Sequence, residues 1–557
     1  MYRSHTCGEL RATNEGQEVT LAGWVQSIRT HGAVTFIDIR DRYGITQVTS
    51  NKPIDASKES VIQVKGTVVK KPEANKKLET GEIEVQAKEV ILLNRSAPLP
   101  LDENATEETR LKYRYLDLRS SHMQKNLILR HKATMSVRKY FDELGFLEME
   151  TPILGKSTPE GARDYLVPSR VNQGKFYALP QSPQIFKQLF QVGGLDRYLQ
   201  IVKCFRDEDL RADRQPEFTQ IDLEMSYVQE EDIYSVMEGM IARVWKETIG
   251  VELSIPFARM KYDEAMLRFG SDKPDVRFGL EIEEVTKWAK ATDFSIFKEA
   301  EVVRCLKVAG DFSRKQIDKL TDIAKVYGAK GLAWVKKEEG NLAGGIAKFL
   351  KDVPVELKDN EYLFFVADSI HVVPAALGAV RLHLGKELQL IKEKWSFLWI
   401  TDFPLMEWSE EDSRYVAMHH PFTSPQEEDR HLLATEPHHA KSKAYDLTLN
   451  GVELGGGSIR IHQRDLQVEV FNALGITEQE QKEKFGFLLG AFEYGAPPHG
   501  GLAFGLDRMV MLLAGAENIR EVIAFPKNKD AVDLMMDSPS SVSQAQLDEL
   551  AISTRKK

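Results

Sequence analysis

The chain has 557 residues, of which 42% are hydrophobic and 28% charged, so its length predicts three or four domains of ordinary globular composition. No apolar run approaches the roughly 20 residues that a membrane-spanning helix needs, and the N-terminal residues do not resemble a secretory signal. The net charge is −10, but residues 1–105 contain 14 Lys and Arg against 14 Asp and Glu, so a nucleic-acid partner is not excluded. Three widely spaced cysteines (Cys7, Cys204 and Cys305) predict neither disulfides nor a thiolate zinc site, and they fit a cytoplasmic protein.

Five short runs between residues 18 and 93 alternate apolar and polar side chains, which predicts five strands. Strands of this number and length predict a small closed barrel of the OB type, a fold that commonly binds single-stranded nucleic acid. Arg29 and Phe36 are candidates for contacting bases, although Phe36 fits the barrel core equally well. We therefore assign residues 1–105 to an OB-fold domain and residues 106–120 to a hinge.

An amphipathic helix and a strand follow this hinge. Residues 122–147 repeat apolar side chains at helical intervals, and Gly145 occupies the position of a helix C-cap. The next run, "FLEMETPIL" at 146–154, predicts a strand that is stopped by Pro152.

The remaining chain divides by the distribution of its motifs. Residues 280–400 alternate helical segments with short strands, whereas the glycine-rich and charge-rich motifs stop near residue 278 and resume near 402. This contrast predicts an inserted α+β module at 283–400 within a domain formed by residues 121–282 and 401–557.

A densely charged loop, "CFRDEDLRADRQPEFTQID" at 204–222, lies between two segments that resemble strands. Arg206 is a candidate for bidentate phosphate binding, and Glu208 for accepting a hydrogen bond from an exocyclic amine. Phe218 is placed to stack on a flat base. A solvated loop of ion pairs explains the same charges when the loop is considered alone.

Two further segments pair arginine with glycine or carboxylate. In "ELGGGSIRIH" at 453–462, three glycines between Glu453 and Arg460 allow the backbone to approach a ligand closely. Asp446 and Glu453 lie on adjacent predicted strands and can hold Mg²⁺ through oxygen atoms. In "GLAFGLDRM", Arg508 falls at a strand-to-helix turn, where a helix N-terminus favours anions. The absence of a P-loop sequence argues against a Walker-type nucleotidase.

The segment "ALPQSPQIFKQLF" places Ser182, Gln184 and Lys187 at the boundary between a turn and a helix. Lys187 can pair with a substrate carboxylate, although a lysine at a helix start is usually only solvated. His419 and His420 are adjacent and would point apart in a strand, so they are poor candidates for chelating a metal.

Together these segments resemble the class II aminoacyl-tRNA synthetases, specifically the bacterial aspartyl type, over almost the full length. The segment "GFLEMETPIL" is similar to motif 1, "FRDEDLRADRQPEFTQID" to motif 2 and "GLAFGLDRMVML" to motif 3 of that class. Four others resemble segments specific to the aspartate enzymes: "STPEGARDYLVPSR", "QSPQIFKQLF", "AMHHPFTSP" and "GGGSIRIH".

The resemblance implies an α+β multidomain architecture. Its parts are an N-terminal OB-fold anticodon domain, an antiparallel catalytic sheet flanked by helices, and an inserted module of the GAD type. It implies a homodimer formed through motif 1, the substrates ATP, L-aspartate and tRNA(Asp), and Mg²⁺ as the metal. The reaction it implies is activation of aspartate as aspartyl-adenylate followed by transfer to tRNA.

The resemblance also implies roles for individual residues. The residues implied to act directly in catalysis are Arg206 and Arg508. Those implied to bind aspartate are Glu160, Ser182, Gln184, Lys187, Arg206, Asp222, His419, His420 and Arg460. Those implied to bind ATP are Arg206, Asp207, Glu208, Gln215, Phe218, Glu453, Gly505, Leu506, Asp507 and Arg508. The implied metal ligands are Asp446 and Glu453, and the implied anticodon contacts are Arg29, His31, Phe36, Gln47 and Gly81.

Three alternatives remain open at this level. His31 and Gly81 resemble the state found in relaxed enzymes that charge both tRNA(Asp) and tRNA(Asn), but His31 also fits an exposed loop residue without a role in selectivity. A catalytically idle homologue that only binds RNA would have no use for the ATP-binding residues. An amino-acid ligase that works without tRNA would have no use for the barrel.

Overall fold

Two compact units make up the structure, a computed structural model that describes residues 1–102, 104–158, 161–410 and 412–555. The barrel unit consists of residues 1–128 and 523–540, and the main unit consists of residues 129–522 and 541–557. No described helix is a candidate for crossing a bilayer by length and hydropathy.

The barrel unit contains the five strands that the sequence predicts. They are β1 (Glu18–His31), β2 (Val34–Asp41), β3 (Gly44–Ser50), β4 (Val61–Lys70) and β5 (Ile83–Asn94). They close in the order β1-β2-β3-β5-β4, with a short parallel pairing of β3 with β5 that completes the barrel. Alternate residues such as Val25, Ile37 and Val85 fill the interior. The OB-type barrel is therefore confirmed.

The residues assigned to a hinge form two short helices, α1 (Glu107–Lys112) and α2 (Arg114–Asp117). Arg114 is buried, pairs with Asp117 at 2.6 Å, and donates hydrogen bonds to the carbonyl oxygens of Ile523 and Ala524 at 2.9 Å. These bonds hold the 523–540 segment in the barrel unit.

The chain after α2 begins a helix in the barrel unit, enters the main unit at residue 129 within that helix, and then supplies the first half of the main unit. Its elements are α3 (Ser121–Glu143), β6 (Leu147–Glu148), β7 (Leu166–Pro168), β8 (Phe176–Ala178), α4 (Gln184–Val192), β9 (Arg197–Phe205), β10 (Glu217–Ser226), α5 (Glu230–Ile249), β11 (Ala258–Lys261) and α6 (Tyr262–Phe269). The strand predicted over 146–154 is wrong in its extent, because β6 has two residues. Pro152 has no backbone N–H to donate, and Thr151 bonds through its hydroxyl to Gln200 at 2.9 Å.

A second, smaller sheet forms between α6 and the next strand of the main sheet. Its elements are β12 (Ile282–Glu284), α7 (Thr286–Ala289), α8 (Ser295–Glu299), β13 (Val302–Ala309), α9 (Arg314–Val326), β14 (Ala333–Glu338), β15 (Asn341–Ala343), a 3₁₀ turn (Ala347–Phe349), β16 (Glu361–Asp368) and α10 (Val372–Glu387). The sheet has the order β12-β13-β16-β14-β15, and α9 and α10 pack against one of its faces. This is the α+β inserted module.

The last part of the chain returns to the main sheet. Its elements are β17 (Phe397–Thr401), β18 (Met406–Ser409), β19 (Arg414–Ala417), 3₁₀ turns (Glu427–Ala434, Pro437–His439), β20 (Ala444–Leu449), β21 (Val452–Ile459), α11 (Arg464–Ala473), α12 (Glu478–Phe492), β22 (His499–Gly505), α13 (Leu506–Ala514), a 3₁₀ turn (Ile519–Glu521) and α14 (Gln544–Glu549).

The main sheet has eight strands in the order β11-β17-β20-β21-β22-β10-β9-β6. All neighbouring pairs are antiparallel except the two at the edges, β11 with β17 and β6 with β9. Ala503 of β22 pairs with Gly456 of β21 on one side and with Asp222 of β10 on the other. This order brings together three segments that are distant in sequence.

Candidate active site

A cavity of about 440 Å³ lies over the central strands of the main sheet. The predicted site residues that line it are Ser182, Gln184, Lys187, Arg206, Glu208, Gln215, Phe218, Asp222, His419, His420, Asp446, Glu453, Arg460, Gly505, Asp507 and Arg508. Asp207 and Leu506 are not among its lining residues, and Glu160 lies outside the residues that the structure describes. The cavity therefore collects most of the side chains that the sequence singles out.

The charged loop closes the hairpin of β9 and β10, as predicted. The Arg206 backbone N–H donates to the Pro216 carbonyl at 2.9 Å, which extends the pairing by one residue beyond the strands. The guanidinium of Arg206 lies 5.1 Å from the centre of the Phe218 ring. Arg214 forms an ion pair with Glu208 at 2.8 Å, so part of the loop charge is satisfied internally.

The glycines of β21 are required by the sheet itself. A Cβ at Gly455 or Gly457 would lie 2.5 Å from the Ala503 carbonyl oxygen or 2.0 Å from that of Gly501, on the neighbouring strand. A Cβ at Gly456 would lie 2.1 Å from Oδ1 of Asp446. The sequence attributes these glycines to close approach of a ligand, whereas in the structure they admit a neighbouring backbone and the Asp446 carboxylate.

Arg508 lies in the first turn of α13 and connects two of the three motifs. Its Nη1 donates to the Glu453 carbonyl oxygen at 2.9 Å, and its Nη2 pairs with Asp213 of the charged loop at 3.1 Å. The neighbouring Asp507 is buried and bonds to Arg130 at 2.5 Å and to the Thr219 backbone N–H at 2.7 Å. Its carboxylate therefore fixes the start of α13 against β10.

A buried cluster of four charged side chains lies at the cavity, and three of them, Lys187, Asp222 and Arg460, line it. Nζ of Lys187 lies 3.0 Å from Asp222 and 3.2 Å from Glu224, and Nε of Arg460 lies 3.0 Å from Glu224. Each of these side chains is at most 5% exposed. Glu224 therefore forms ion pairs with both Lys187 and Arg460 and partly neutralises the charge of each.

The carboxyl groups of this cluster respond differently to their surroundings. Burial raises the pKa of Asp222 to about 6, against the lowering effect of Lys187. Burial also opposes ionisation of Glu224, but Arg460 and Lys187 outweigh it and hold the pKa of Glu224 below its ordinary value. Glu224 is therefore ionised at neutral pH, and Asp222 titrates closer to neutrality.

The two adjacent histidines occupy different environments. Nε2 of His419 lies 3.2 Å from Oδ1 of Asp446. Burial, and then the charges of Arg460, Lys187 and Arg206, hold the pKa of His420 well below its ordinary value, so His420 is neutral.

Several buried polar atoms in the cavity wall have no hydrogen-bond partner within the described part of the chain. They are Nε of Arg206, Oδ1 of Asp222, Nδ1 of His419 and Nε2 of His420. Buried polar atoms are normally hydrogen-bonded. Unpaired atoms in one cavity therefore indicate a polar ligand.

The Asp446 and Glu453 side chains line the same cavity on paired strands. No cluster of three or more potential metal-binding side chains occurs within residues 1–102, 104–158, 161–410 and 412–555. Two carboxylates without a complete protein cage fit Mg²⁺, which usually binds through one or two carboxylates together with phosphate oxygens and water.

Asp213 and Asp272 line the cavity, and Glu224 belongs to the buried charge cluster beside it, yet none of the three is among the site residues predicted from the sequence. Glu224 follows Asp222 at a spacing of two on β10, and alternate strand residues share a face, so the pattern was available in the sequence. Asp213 lies in the charged loop itself. Asp272 lies between the main sheet and the inserted module, and nothing in its local sequence indicates a cavity.

The predicted anticodon residues lie on the barrel unit. Arg29 pairs across β1 and β2 with Phe36 and forms an ion pair with Asp38 at 3.1 Å. Phe36 is half-buried, whereas its sequence neighbours Thr35 and Ile37 are buried, so Phe36 does not belong to the buried barrel core.

The other three anticodon candidates differ in exposure. His31 is exposed at the end of β1, and Gln47 is half-buried on β3. Gly81 is buried, and a Cβ there would lie 1.9 Å from the Asn75 carbonyl oxygen. Packing of the 75–81 turn alone therefore requires a glycine at this position.

Comparisons with known proteins agree on one family. The model described as tRNA synthetases class II (D, K and N) matches residues 106–529, and the model described as OB-fold nucleic acid binding domain matches residues 19–93. Aspartate–tRNA ligases of Streptococcus pneumoniae, from strains Hungary19A-6 and ATCC 700669 / Spain 23F-1, are 54% identical over 576 aligned positions. Each alignment covers 99% of this chain and 98% of the relative.

Two solved structures share the fold. The asparaginyl-tRNA synthetase from Pyrococcus horikoshii, complexed with asparaginyl-adenylate, has a TM-score of 0.62 at 20% identity and covers 94% of this chain and 98% of that chain. The aspartyl-tRNA synthetase from Entamoeba histolytica has a TM-score of 0.58 at 18% identity, with coverages of 94% and 91%.

Replacing the shared carboxylate tests the buried cluster. We expect Glu224→Gln to lower the free energy of unfolding by about 3 kcal/mol, because Lys187 and Arg460 lose a buried counter-charge. Chemical unfolding measures the effect. The control is Glu208→Gln, whose partly exposed pair with Arg214 is expected to contribute at most about 1 kcal/mol. Equal small effects of the two substitutions would contradict the assigned importance of Glu224.

Proposed function

The chain belongs to the class II tRNA synthetases of the D, K and N group, and we propose that it attaches L-aspartate to tRNA(Asp) in an ATP-dependent reaction. The observation that carries the proposal is the cavity, which is lined both by the phosphate-binding candidates Arg206 and Arg508 and by the buried cations Lys187 and Arg460. A nucleotide and a small dicarboxylic acid match these two halves. The full-length likeness to aspartate–tRNA ligases supports the same assignment.

The nucleotide half of the cavity is assigned to ATP. Arg206 binds the α-phosphate with its planar guanidinium, and Glu208 accepts a hydrogen bond from the adenine amine. Phe218 and Arg508 flank the adenine ring, with Gln215 beside them. Arg508 is already held by Asp213 and by the Glu453 carbonyl oxygen, so little of its conformational freedom is lost when ATP binds.

The amino-acid half is assigned to aspartate. Lys187 and Arg460 contact the side-chain carboxylate, and His419 and His420 line the same region. The unpaired Oδ1 of Asp222 accepts a hydrogen bond from the α-ammonium group, near Ser182 and Gln184. An asparagine amide at the same place would turn its NH₂ donor towards the N–H donors of Lys187 and Arg460, and donors that face each other in a buried site cost several kcal/mol.

The chemistry requires position and charge more than a protein base. The α-carboxylate of aspartate attacks the α-phosphorus, the bond to the bridging oxygen breaks, and pyrophosphate leaves. The 3′-hydroxyl of tRNA then attacks the activated carbonyl carbon and releases AMP. Arg206 and Arg508 stabilise the charge that develops on the phosphate, and the buried cluster holds the carboxylate in line.

Mg²⁺ belongs to this proposal, with Asp446 and Glu453 as its protein ligands. When bound with ATP it would neutralise charge on the phosphates. The contact between His419 and Asp446 orients the Asp446 carboxylate at the cavity wall.

A homodimer formed through motif 1 is also proposed. The motif 1 segment exposes Leu147, Ile153 and Leu154, which are 48%, 40% and 52% exposed. Exposed apolar side chains so close in sequence support an interface there. We place the enzyme in the cytoplasm, in keeping with three buried free cysteines.

Two substitutions separate the halves of the cavity. We expect Lys187→Leu to raise the KM for aspartate about a hundredfold while the KM for ATP is retained, because a buried charge partner is lost. We expect Arg206→Ala to abolish aspartate-dependent ATP–pyrophosphate exchange. Near-normal exchange by Arg206→Ala, or equal effects of Lys187→Leu on both substrates, would refute these roles.

The pH profile tests Asp222. Its carboxyl, with a pKa raised to about 6, is ionised above that pH and protonated below it. We expect kcat/KM for aspartate to fall as the pH decreases through about 6, since a protonated carboxyl loses its attraction for the α-ammonium group. Asp222→Asn is expected to have a low kcat/KM for aspartate that does not change as the pH passes through about 6. Persistence of the step in that variant would assign the titration to another group.

The tRNA specificity is the finest part of the proposal. We propose that tRNA(Asn) is charged as well, with the exposed His31 near the anticodon permitting either third base. Aminoacylation of pure tRNA(Asp) and tRNA(Asn) transcripts measures this directly, and rates within about tenfold of each other are expected. Charging of tRNA(Asp) alone would establish strict specificity. Exchange activity without any charging would instead favour a tRNA-independent ligase.

A further inference from the structure

One face of α10 in the inserted module packs against residues 270–280, which we name the linking segment because it runs from α6 to β12. Gly378, Arg381 and Gly385 are spaced by three and four residues, so they lie on the same side of the helix. Each of the three contacts the linking segment or the residue before it.

Arg381 is the centre of this contact. Its Nε donates to the Leu280 carbonyl oxygen at 3.0 Å, and its Nη2 lies 2.9 to 3.0 Å from the carbonyl oxygens of Asp275, Phe278 and Gly279. Its guanidinium also lies 4.1 Å from the centre of the Phe278 ring. Arg381 is 1% exposed, so a single buried cation fixes the shape of this turn.

The two glycines of α10 allow the backbones to meet. A Cβ at Gly378 would lie 2.8 Å from the Gly270 carbonyl oxygen, and a Cβ at Gly385 would lie 2.5 Å from the Phe278 ring. Gly270 has φ +68°, a left-handed conformation that favours glycine, and its own Cβ would lie 2.1 Å from the Pro374 carbonyl oxygen. No larger residue fits these positions without moving the segment.

The other side of the linking segment reaches the cavity. Asp272 lines it, on the wall that contains His419, and its charge contributes to the environment of that histidine. Asp275 packs against Gly451, where a Cβ would lie 3.1 Å from Cβ of Asp275. Gly451 lies in the turn between β20 and β21, the two strands that carry Asp446 and Glu453.

We propose that the inserted module helps to build the catalytic cavity: α10 positions the linking segment through Arg381, and the segment presents the Asp272 carboxylate to a cation bound at that wall. Arg381 is then a positioning residue, and Asp272 is a further cavity residue. The inference rests on the proposed function, since the cation is the α-ammonium group of aspartate or Mg²⁺ bound with ATP.

A purely structural contact would have a different consequence. If α10 only attached the module to the main sheet, loosening the contact would lower stability and leave the kinetics of the folded enzyme unchanged. If α10 positions Asp272, a substitution that loosens the contact and a substitution that removes the Asp272 carboxylate should both lower kcat/KM.

The test uses the full chain with Arg381→Lys, Asp272→Asn and the two combined, in aspartate-dependent ATP–pyrophosphate exchange. Lysine keeps the charge but cannot reproduce the guanidinium's hydrogen bonds. We expect each single variant to lose about tenfold in kcat/KM, and the double variant to lose no more than the worse single one, since both act through one group. A loss that excess Mg²⁺ restores would identify the metal as the cation. A raised KM for aspartate at saturating Mg²⁺ would identify the ammonium group.

Gly378→Ala provides a second route if Arg381→Lys does not fold. Alanine favours the helix, so α10 is retained, while the added Cβ displaces the linking segment. The matched controls are Gly490→Ala, a helical position of α12 with open space around the added Cβ, and Arg304→Lys, a buried arginine of the module that donates to Glu284 and to the Met266 carbonyl oxygen of α6.

Unchanged kcat/KM in folded Arg381→Lys and Gly378→Ala, or fully additive losses in the double variant, would overturn the inference. Absence of exchange in the unsubstituted enzyme would instead overturn the proposed function. The two failures are therefore distinguishable.

Discussion

The main unit depends on a single buried carboxylate. Glu224 lies between Lys187 and Arg460, and these two cations come from segments 273 residues apart in the chain. Asp222 also pairs with Lys187, but loss of Glu224 would leave two buried cations with one carboxylate and Arg460 without its partner, which destabilises the folded main sheet. The same arrangement places cations and a carboxylate at the cavity wall. The cations can attract the carboxylate of a dicarboxylic amino acid, and Asp222 can attract its ammonium group.

Close contact between backbones is the second requirement. The glycines of β21 and β22 admit neighbouring strands and the side chains of Asp446 and Glu224, and those of α10 admit the linking segment. At Gly456 and Gly501 the missing side chain leaves room for the carboxylates of Asp446 and Glu224. Packing and ligand binding can therefore each require a glycine at these positions. A glycine pattern in the sequence does not distinguish the two causes.

Local patterns in the sequence were sufficient for much of this structure. The alternation of β1 to β5, the hairpin around the charged loop and the strand-to-helix turn at Arg508 all follow from residues close together in the chain. The spacing of Asp222 and Glu224 on β10 shows only that they share a face of the strand; the pairing of Glu224 with Arg460, and the packing of α10 that places Asp272, join residues distant in sequence and leave no local trace. The short β6 was overestimated because apolar composition predicts a strand without showing where its backbone finds a partner.

The barrel unit draws on two stretches of the chain, and Arg114 bonds to the carbonyl oxygens of Ile523 and Ala524 within it. The polypeptide consequently passes between the units three times, near residues 128, 522 and 540. Cleavage of one peptide bond cannot liberate either unit, and an N-terminal fragment truncated before residue 523 would leave the Arg114 guanidinium without its two backbone acceptors. A protease would have to cleave the chain near all three of these residues before the two units were no longer covalently joined.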